Sequence, residues 1–184
     1  MESAGNGWSW AWLTLPQRAA LLVVDAQVGF AGPHTAHVES RIASLVEQRA
    51  GDFSIIIATQ FFNAPDSNFR RLIDWHGVSE SPATDLFEPV QAAAHCVIAK
   101  HTYGASDEIA RLLADRGIED VFVCGIDTDV CVLQNAAGLF DRGYYVRVLL
   151  DACGTNGGPL AQEASRPLLM RTIGARQTIS AAGH

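Results

Sequence analysis

The stretch VCGIDTDVCV, residues 123–132, runs from apolar residues through a polar turn to a second cysteine. Its first half closes DVFVCG (120–125), an unbroken apolar run of the kind a strand makes when both its faces are buried. Its second half opens DVCVLQNAAGLFDRG (129–143), whose helical spacing ends at Gly143, a residue suited to a helix stop. One strand–turn–helix unit is legible here, and it puts Cys131 in the first turn of the helix.

The unit recurs outward in both directions. AALLVVDAQ (19–27) reads as a buried strand ending near Asp25, and HTAHVESRIASLVEQRA (34–50) as a helix with Val38, Ile42, Leu45 and Val46 on one face. DFSIIIATQ (52–60) is a second strand. Residues 61–94 carry Pro65, Pro82 and Pro89 and read as irregular chain with two short helices. AHCVIAKHTYG (94–104) gives a third strand near Lys100, and SDEIARLLADRG (106–117) a helix with Ser106 as its cap. Beyond the opening stretch come the strand YYVRVLLDA, the helix GPLAQEASRPLLMRTIG that Pro167 should kink or divide, and a short strand RQTIS. Alternating strands and helices predict a three-layer α/β/α domain around a parallel sheet, residues 19–184. Residues 1–18 form an N-terminal extension in which Trp8, Trp10 and Trp12 alternate. Three exposed indoles are unfavourable, so the extension either packs on its own domain or meets another subunit.

A net charge of −7 offers no electrostatic footprint for nucleic acid or an anionic membrane. No apolar run reaches the length of a membrane span, and the first residues lack the basic start of a secretory signal. The four cysteines show no CxxC spacing and read as reduced thiols of a cytoplasmic protein. Of the 13 basic residues only one, Lys100, is a lysine. A compact ammonium kept in a chain that otherwise uses arginine marks that position.

Open parallel sheets gather ligands at the carboxyl ends of their strands. That rim receives Asp25, Gln60, Phe61, Lys100, the 125–131 turn and Asp151, the last read as structural. The unpaired N–H groups of a helix start, together with Lys100, are expected to lower the pKa of the Cys131 thiol. Thr128 or Asp129 is expected to cap the helix, with the Asp129 carboxylate turned to the cap and away from the thiol.

Together these residues resemble the isochorismatase-like cysteine hydrolases. LLVVDAQVGF looks like the family's DxQxxF opening, with Asp25, Gln27 and Phe30 in place, and IAKHTYGAS resembles the segment that carries the family lysine. VCGIDTDVCVLQNAAGLFDRGYYVRVLLDA resembles the strand, cysteine helix and following strand. The resemblance implies a six-stranded sheet of order 3-2-1-4-5-6 and a homodimer or homotetramer. It also implies an Asp25–Lys100–Cys131 triad that hydrolyses a C–N bond of a small amide, carbamoyl or ureido substrate through an acyl-enzyme. It further implies a cis Ile126–Asp127 peptide and an oxyanion hole made by the N–H groups of Asp127 and Cys131.

In that strand order Lys100 starts two strands from Asp25, about 10 Å at ordinary spacing, and its stem must span the gap. Gln27, Phe30, Phe61, Trp75 and Tyr103 are candidates to line the substrate pocket. Metal-binding members carry Asp-x-His after the second strand; here TQFFNAPDSNF sets Phe61, Phe62 and Asn63 there, so neither a metal nor another cofactor is expected. Asn135 stands where the family's cysteine helix usually has threonine. The competing readings are a non-catalytic binding or scaffolding member of the fold and a redox-sensing thiol protein. The expected partner is a small-molecule substrate, with no nucleic acid and no membrane.

Overall fold

The computed structural model of the protein describes residues 8–182. The chain forms one six-stranded parallel sheet in the order β3-β2-β1-β4-β5-β6. Its strands are β1 Ala19–Val24, β2 Ile55–Phe61, β3 Cys96–Lys100, β4 Asp120–Ile126, β5 Tyr145–Gly154 and β6 Thr178–Ile179. β1 lies at the centre and every one of its residues is buried, which is why AALLVV shows no polar alternation.

Between the strands run α1 Ala36–Arg49, α2 Asn68–Ile73, α3 Glu88–Ala93, α4 Ser106–Ala114, α5 Leu133–Asp141 and α6 Pro159–Ile173. Right-handed crossovers from a central β1 send α1 to one face of the sheet and α4, α5 and α6 to the other. Accordingly α1 packs on β4, β5 and α3, while α5 packs between α4 and α6. Val38, Ile42 and Leu45 are the buried stripe of α1, joined by Ser44. Among the described residues no helix is long and apolar enough to cross a membrane.

Three local expectations need correction. α6 runs unbroken through Pro167. That proline sits on the exposed side of the helix, where the carbonyl left without its N–H partner meets water. Ser106 is the first helical residue of α4 and not its cap; the preceding Ala105 N–H is held by the Asn135 side chain at 2.9 Å. β5 continues past Asp151 to Gly154, so Asp151 is not a rim residue, and its carboxylate accepts the Ala181 N–H.

The described part of the N-terminal extension lies along α1 of its own chain. Trp10 is fully buried and its backbone N–H donates to Gln48 Oε1, while Arg49 Nη1 donates to the carbonyls of Trp10 and Leu13 at 2.7 and 2.8 Å. The Arg41 guanidinium stacks 3.4 Å over the Trp8 ring. Residues 1–7 of the extension fall outside the described residues.

Gly125 fixes the mouth of the sheet. It pairs with Val24 and adopts φ +125°, and a Cβ there would stand 2.0 Å from the Val24 carbonyl oxygen. Only glycine lets β4 come this close as it turns towards Asp127. Gly125→Ala is therefore expected to cost about 4 kcal/mol or more, since it meets rigid backbone in the core. Thermal unfolding of the purified variant, or its loss from the folded fraction, checks this.

Candidate active site

Asp25 directly follows β1, in a left-handed backbone with φ +47°, and is completely buried. The neighbouring strand orients it: Thr59, paired in register with Val24, donates its hydroxyl to Asp25 Oδ1 at 2.7 Å and accepts the Asp25 N–H at 3.1 Å. Lys100, the last residue of β3, is level with Phe61 on β2. Its stem crosses the intervening strand with Nζ 5.2 Å from the centre of the Phe61 ring, and Nζ reaches Asp25 Oδ2 at 2.6 Å. The gap of two strands is thus closed by the lysine itself. Nζ also donates to the carbonyls of Thr102 and Tyr103 at 2.7 and 3.0 Å.

The third group arrives from the far side of β1. The Ile126–Asp127 peptide is cis, and the chain then makes a π-helical turn, Thr128–Val132, before α5 begins. Within it the Asp127 carbonyl accepts the N–H groups of both Val130 and Val132. Cys131 lies in this turn, almost buried, with Sγ 4.0 Å from Lys100 Nζ. Asn135, one helical turn on, accepts the Ala105 N–H and donates to the Cys131 carbonyl at 2.8 Å, tying the cysteine turn to the loop that holds Lys100.

The capping expectations fail here. Asp127 precedes the turn and makes no side-chain cap, the Thr128 hydroxyl donates to Gln162 Oε1, and Asp129 accepts the Thr155 hydroxyl. The expected lowering of the thiol pKa is likewise overturned. Burial pushes the Cys131 thiol up, and the negative charge of Asp25 adds to this against a smaller opposing pull from Lys100. Burial also raises the Asp25 carboxyl, against the pull of Lys100 and the Thr59 hydroxyl. The physical reason is charge balance in a dry site. Carboxylate, ammonium and neutral thiol sum to zero, whereas ionising the thiol as well buries a net negative charge. The sulfur can become a thiolate at constant net charge only if its proton moves to Asp25.

A cavity of about 190 Å³ opens onto Cys131. Phe30, Phe61, Phe69, Trp75 and Tyr103 give it an aromatic wall, with Ile73, Val130 and Asp127 completing the lining. The rings hold one another: Phe30 stacks on Trp75 at 6.0 Å, and Phe61 and Tyr103 each meet Phe69 edge-on at 4.9 Å. Phe30, Phe61, Trp75 and Tyr103, the aromatic candidates of the sequence, thus all line this cavity. Gln27 does not. It is fully buried outside the cavity, its amide donating to the carbonyls of Phe61 and Thr84 and accepting the Phe61 N–H, so that it splices the end of β1 to β2.

Sequence reasoning missed Thr59, Phe69 and Asn156. Phe69 sits in a proline-flanked irregular stretch without periodicity. Thr59 is the one hydroxyl in the buried run of β2, a signal that was available. Asn156 donates through N–H and Nδ2 to Asp127 Oδ1 and through Nδ2 to the Phe30 carbonyl, contacts invisible before folding. After β2, Phe61 joins the cavity wall, and Asn63 uses its amide on the carbonyls of Trp75 and Gly77 while accepting from Ser67. These residues do not fit a metal there, and among the described residues no group of three or more His, Cys, Asp or Glu could hold one.

A doubly wound parallel sheet with an acid, an ammonium and a thiol converging at its carboxyl rim defines an α/β protein with a candidate site at the place where such sheets gather ligands. The Isochorismatase domain family matches residues 19–174, and the chain belongs to that family. It is 30% identical over 156 residues to the nicotinamidase/pyrazinamidase of Mycobacterium tuberculosis, an alignment covering 72% of this chain and 84% of that protein. Among solved structures, an isochorismatase-like hydrolase from Alkaliphilus metalliredigens superposes with a TM-score of 0.75 at 20% identity, covering 84% of this chain and 92% of that one. The pyrazinamidase of Pyrococcus horikoshii, in complex with zinc, gives 0.73 at 21% identity, over 85% of this chain and 97% of that one.

Two substitutions separate the charges. Asp25→Asn removes the anion that raises the thiol, so the Cys131 pKa is expected to fall, read from thiolate ultraviolet absorbance against pH. Lys100→Met removes the opposing cation, so the thiol is expected to rise further and the fold to lose about 3–5 kcal/mol through an unpaired buried carboxylate.

Proposed function

We propose that the protein is a cysteine hydrolase that cleaves the C–N bond of a small amide, carbamoyl or ureido substrate through an acyl-enzyme on Cys131. The observation that carries this reading is the placing of Lys100 Nζ 2.6 Å from Asp25 Oδ2 and 4.0 Å from Cys131 Sγ, beside a cavity that Cys131 lines. Family membership and the amidase relative support the same reaction class.

Substrate excludes the remaining water and offers a carbonyl carbon to Sγ. The thiol proton passes to the Asp25 carboxylate as sulfur bonds to carbon, so the site stays neutral apart from the charge that develops on the carbonyl oxygen. The backbone N–H groups of Asp127 and Cys131 meet that oxygen, donors worth about 3–4 kcal/mol each in comparable sites. Asp25 returns its proton to the nitrogen, which leaves as ammonia or an amine. Water then attacks the thioester, Asp25 takes its proton, and the acid product departs as sulfur is reprotonated. Lys100 holds the carboxylate in line and balances it throughout. The four free thiols suit a cytoplasmic setting. Exposed Leu160 and Leu168 on α6 favour a homodimer or homotetramer.

Ammonia release from a panel of small amides and ureides is expected to fall at least about a thousandfold in Cys131→Ala. A covalent adduct on the Cys131 peptide should be seen by mass spectrometry after acid quench. Release unchanged by the substitution would refute the nucleophile. Asp25 must be ionised to accept the thiol proton, and its pKa lies above the ordinary 3.8. The acid limb of kcat/KM is thus expected above that value. The raised thiol should add no basic limb near the ordinary 9.0.

A further inference from the structure

The cavity beside Cys131 is asymmetric in charge. Among the described residues no lysine, arginine or histidine lines it, and the ammonium of Lys100 behind it is neutralised by Asp25 and turned to the Thr102 and Tyr103 carbonyls, with only a long contact to Cys131 Sγ at 4.0 Å. Its one acidic wall residue outside the triad is Asp127. That carboxylate is fixed by Oδ1, which accepts two bonds from Asn156, while Oδ2 takes no hydrogen bond from any described residue. Its charge is felt at the Cys131 sulfur, and the charge of Asp25 is felt at Asp127 in turn. His101 lines an adjoining depression that shares Phe69, Ile73 and Tyr103 with the cavity, and its Nδ1 pairs with the Phe62 carbonyl. The remaining wall is ring surface and apolar side chains; its ring faces favour cations, and its neutral donors, the Tyr103 hydroxyl and the Trp75 indole N–H, bring no positive charge to pair with a carboxylate.

We propose that Asp127 is a charge-selecting residue: it admits neutral or cationic amides that present an N–H donor to its free oxygen, and it rejects amides that carry a carboxylate. N-carbamoyl amino acids and other anionic ureides are thereby excluded, leaving an aromatic or apolar carboxamide, neutral or ammonium-bearing, as the substrate class. The inference rests on the hydrolase reading for the word substrate, but the selection acts on any reagent that must reach Cys131.

The test uses methanethiosulfonate reagents of equal size carrying a neutral, an ammonium or a sulfonate group, each of which transfers its thiol half to sulfur and releases a sulfinate. Modification of Cys131 is followed by peptide mass mapping at slightly alkaline pH. The ammonium-to-sulfonate rate ratio at Cys131 should exceed that of free cysteine by about tenfold or more. In Asp127→Asn it should shrink by a similar factor, with the neutral reagent's rate as reference within each protein. A wild-type ratio equal to that of free cysteine overturns the proposal, and so does a high ratio untouched by Asp127→Asn. Turnover of anionic amides ahead of neutral ones overturns it too, without touching the hydrolase reading. A full charge ratio in a protein that hydrolyses no amide sinks that reading and leaves the selection standing.

Discussion

A carboxylate and an ammonium, both buried and held 2.6 Å apart, govern this molecule. Neither charge is tolerable there alone, and the pair is supported by the Thr59 hydroxyl on one side and the Thr102 and Tyr103 carbonyls on the other. The condition reaches into the fold. β2 must lie between β1 and β3, its register must bring Thr59 level with Val24 and Phe61 level with Lys100, and the chain beyond β3 must turn back over the ammonium. A site so balanced has no room for a standing thiolate, and burial with the Asp25 charge keeps the sulfur protonated.

The rim lies past the ends of strands and helices, where backbone groups have lost their regular partners. Side-chain amides supply the missing bonds. Gln27 continues the β1–β2 ladder, Asn135 joins α5 to the loop of the ammonium, and Asn156 joins the Asp127 turn to Phe30. Asn135 thus uses both hydrogen-bonding ends of its amide. An amide accepts one loop's N–H while donating to the neighbouring turn, which a single hydroxyl could do only with its one proton.

The strands, and the placing of Asp25, Lys100 and the cysteine turn at one rim, were legible because buried parallel strands read as plain apolar runs that those residues follow immediately; the strand order came from the family resemblance. What failed has a common cause. The thiol pKa was read from one helix end and one lysine, whereas desolvation and the carboxylate's field, neither visible along the chain, outweigh both. Gln27 was taken for a pocket residue because a polar side chain near a rim suggests recognition, yet it serves the backbone. Pro167 was overread because the side of α6 it faces decides whether the lost bond is covered by water.

The buried ammonium belongs to the chain's single lysine. Folded, the described surface therefore carries positive charge only as guanidinium, and apart from the amino terminus it presents no primary amine. Acylating reagents, aldehydes and lysine-directed conjugating enzymes meet a protein that is effectively blank to them. Acquisition of a label at Lys100 would report that the domain had opened.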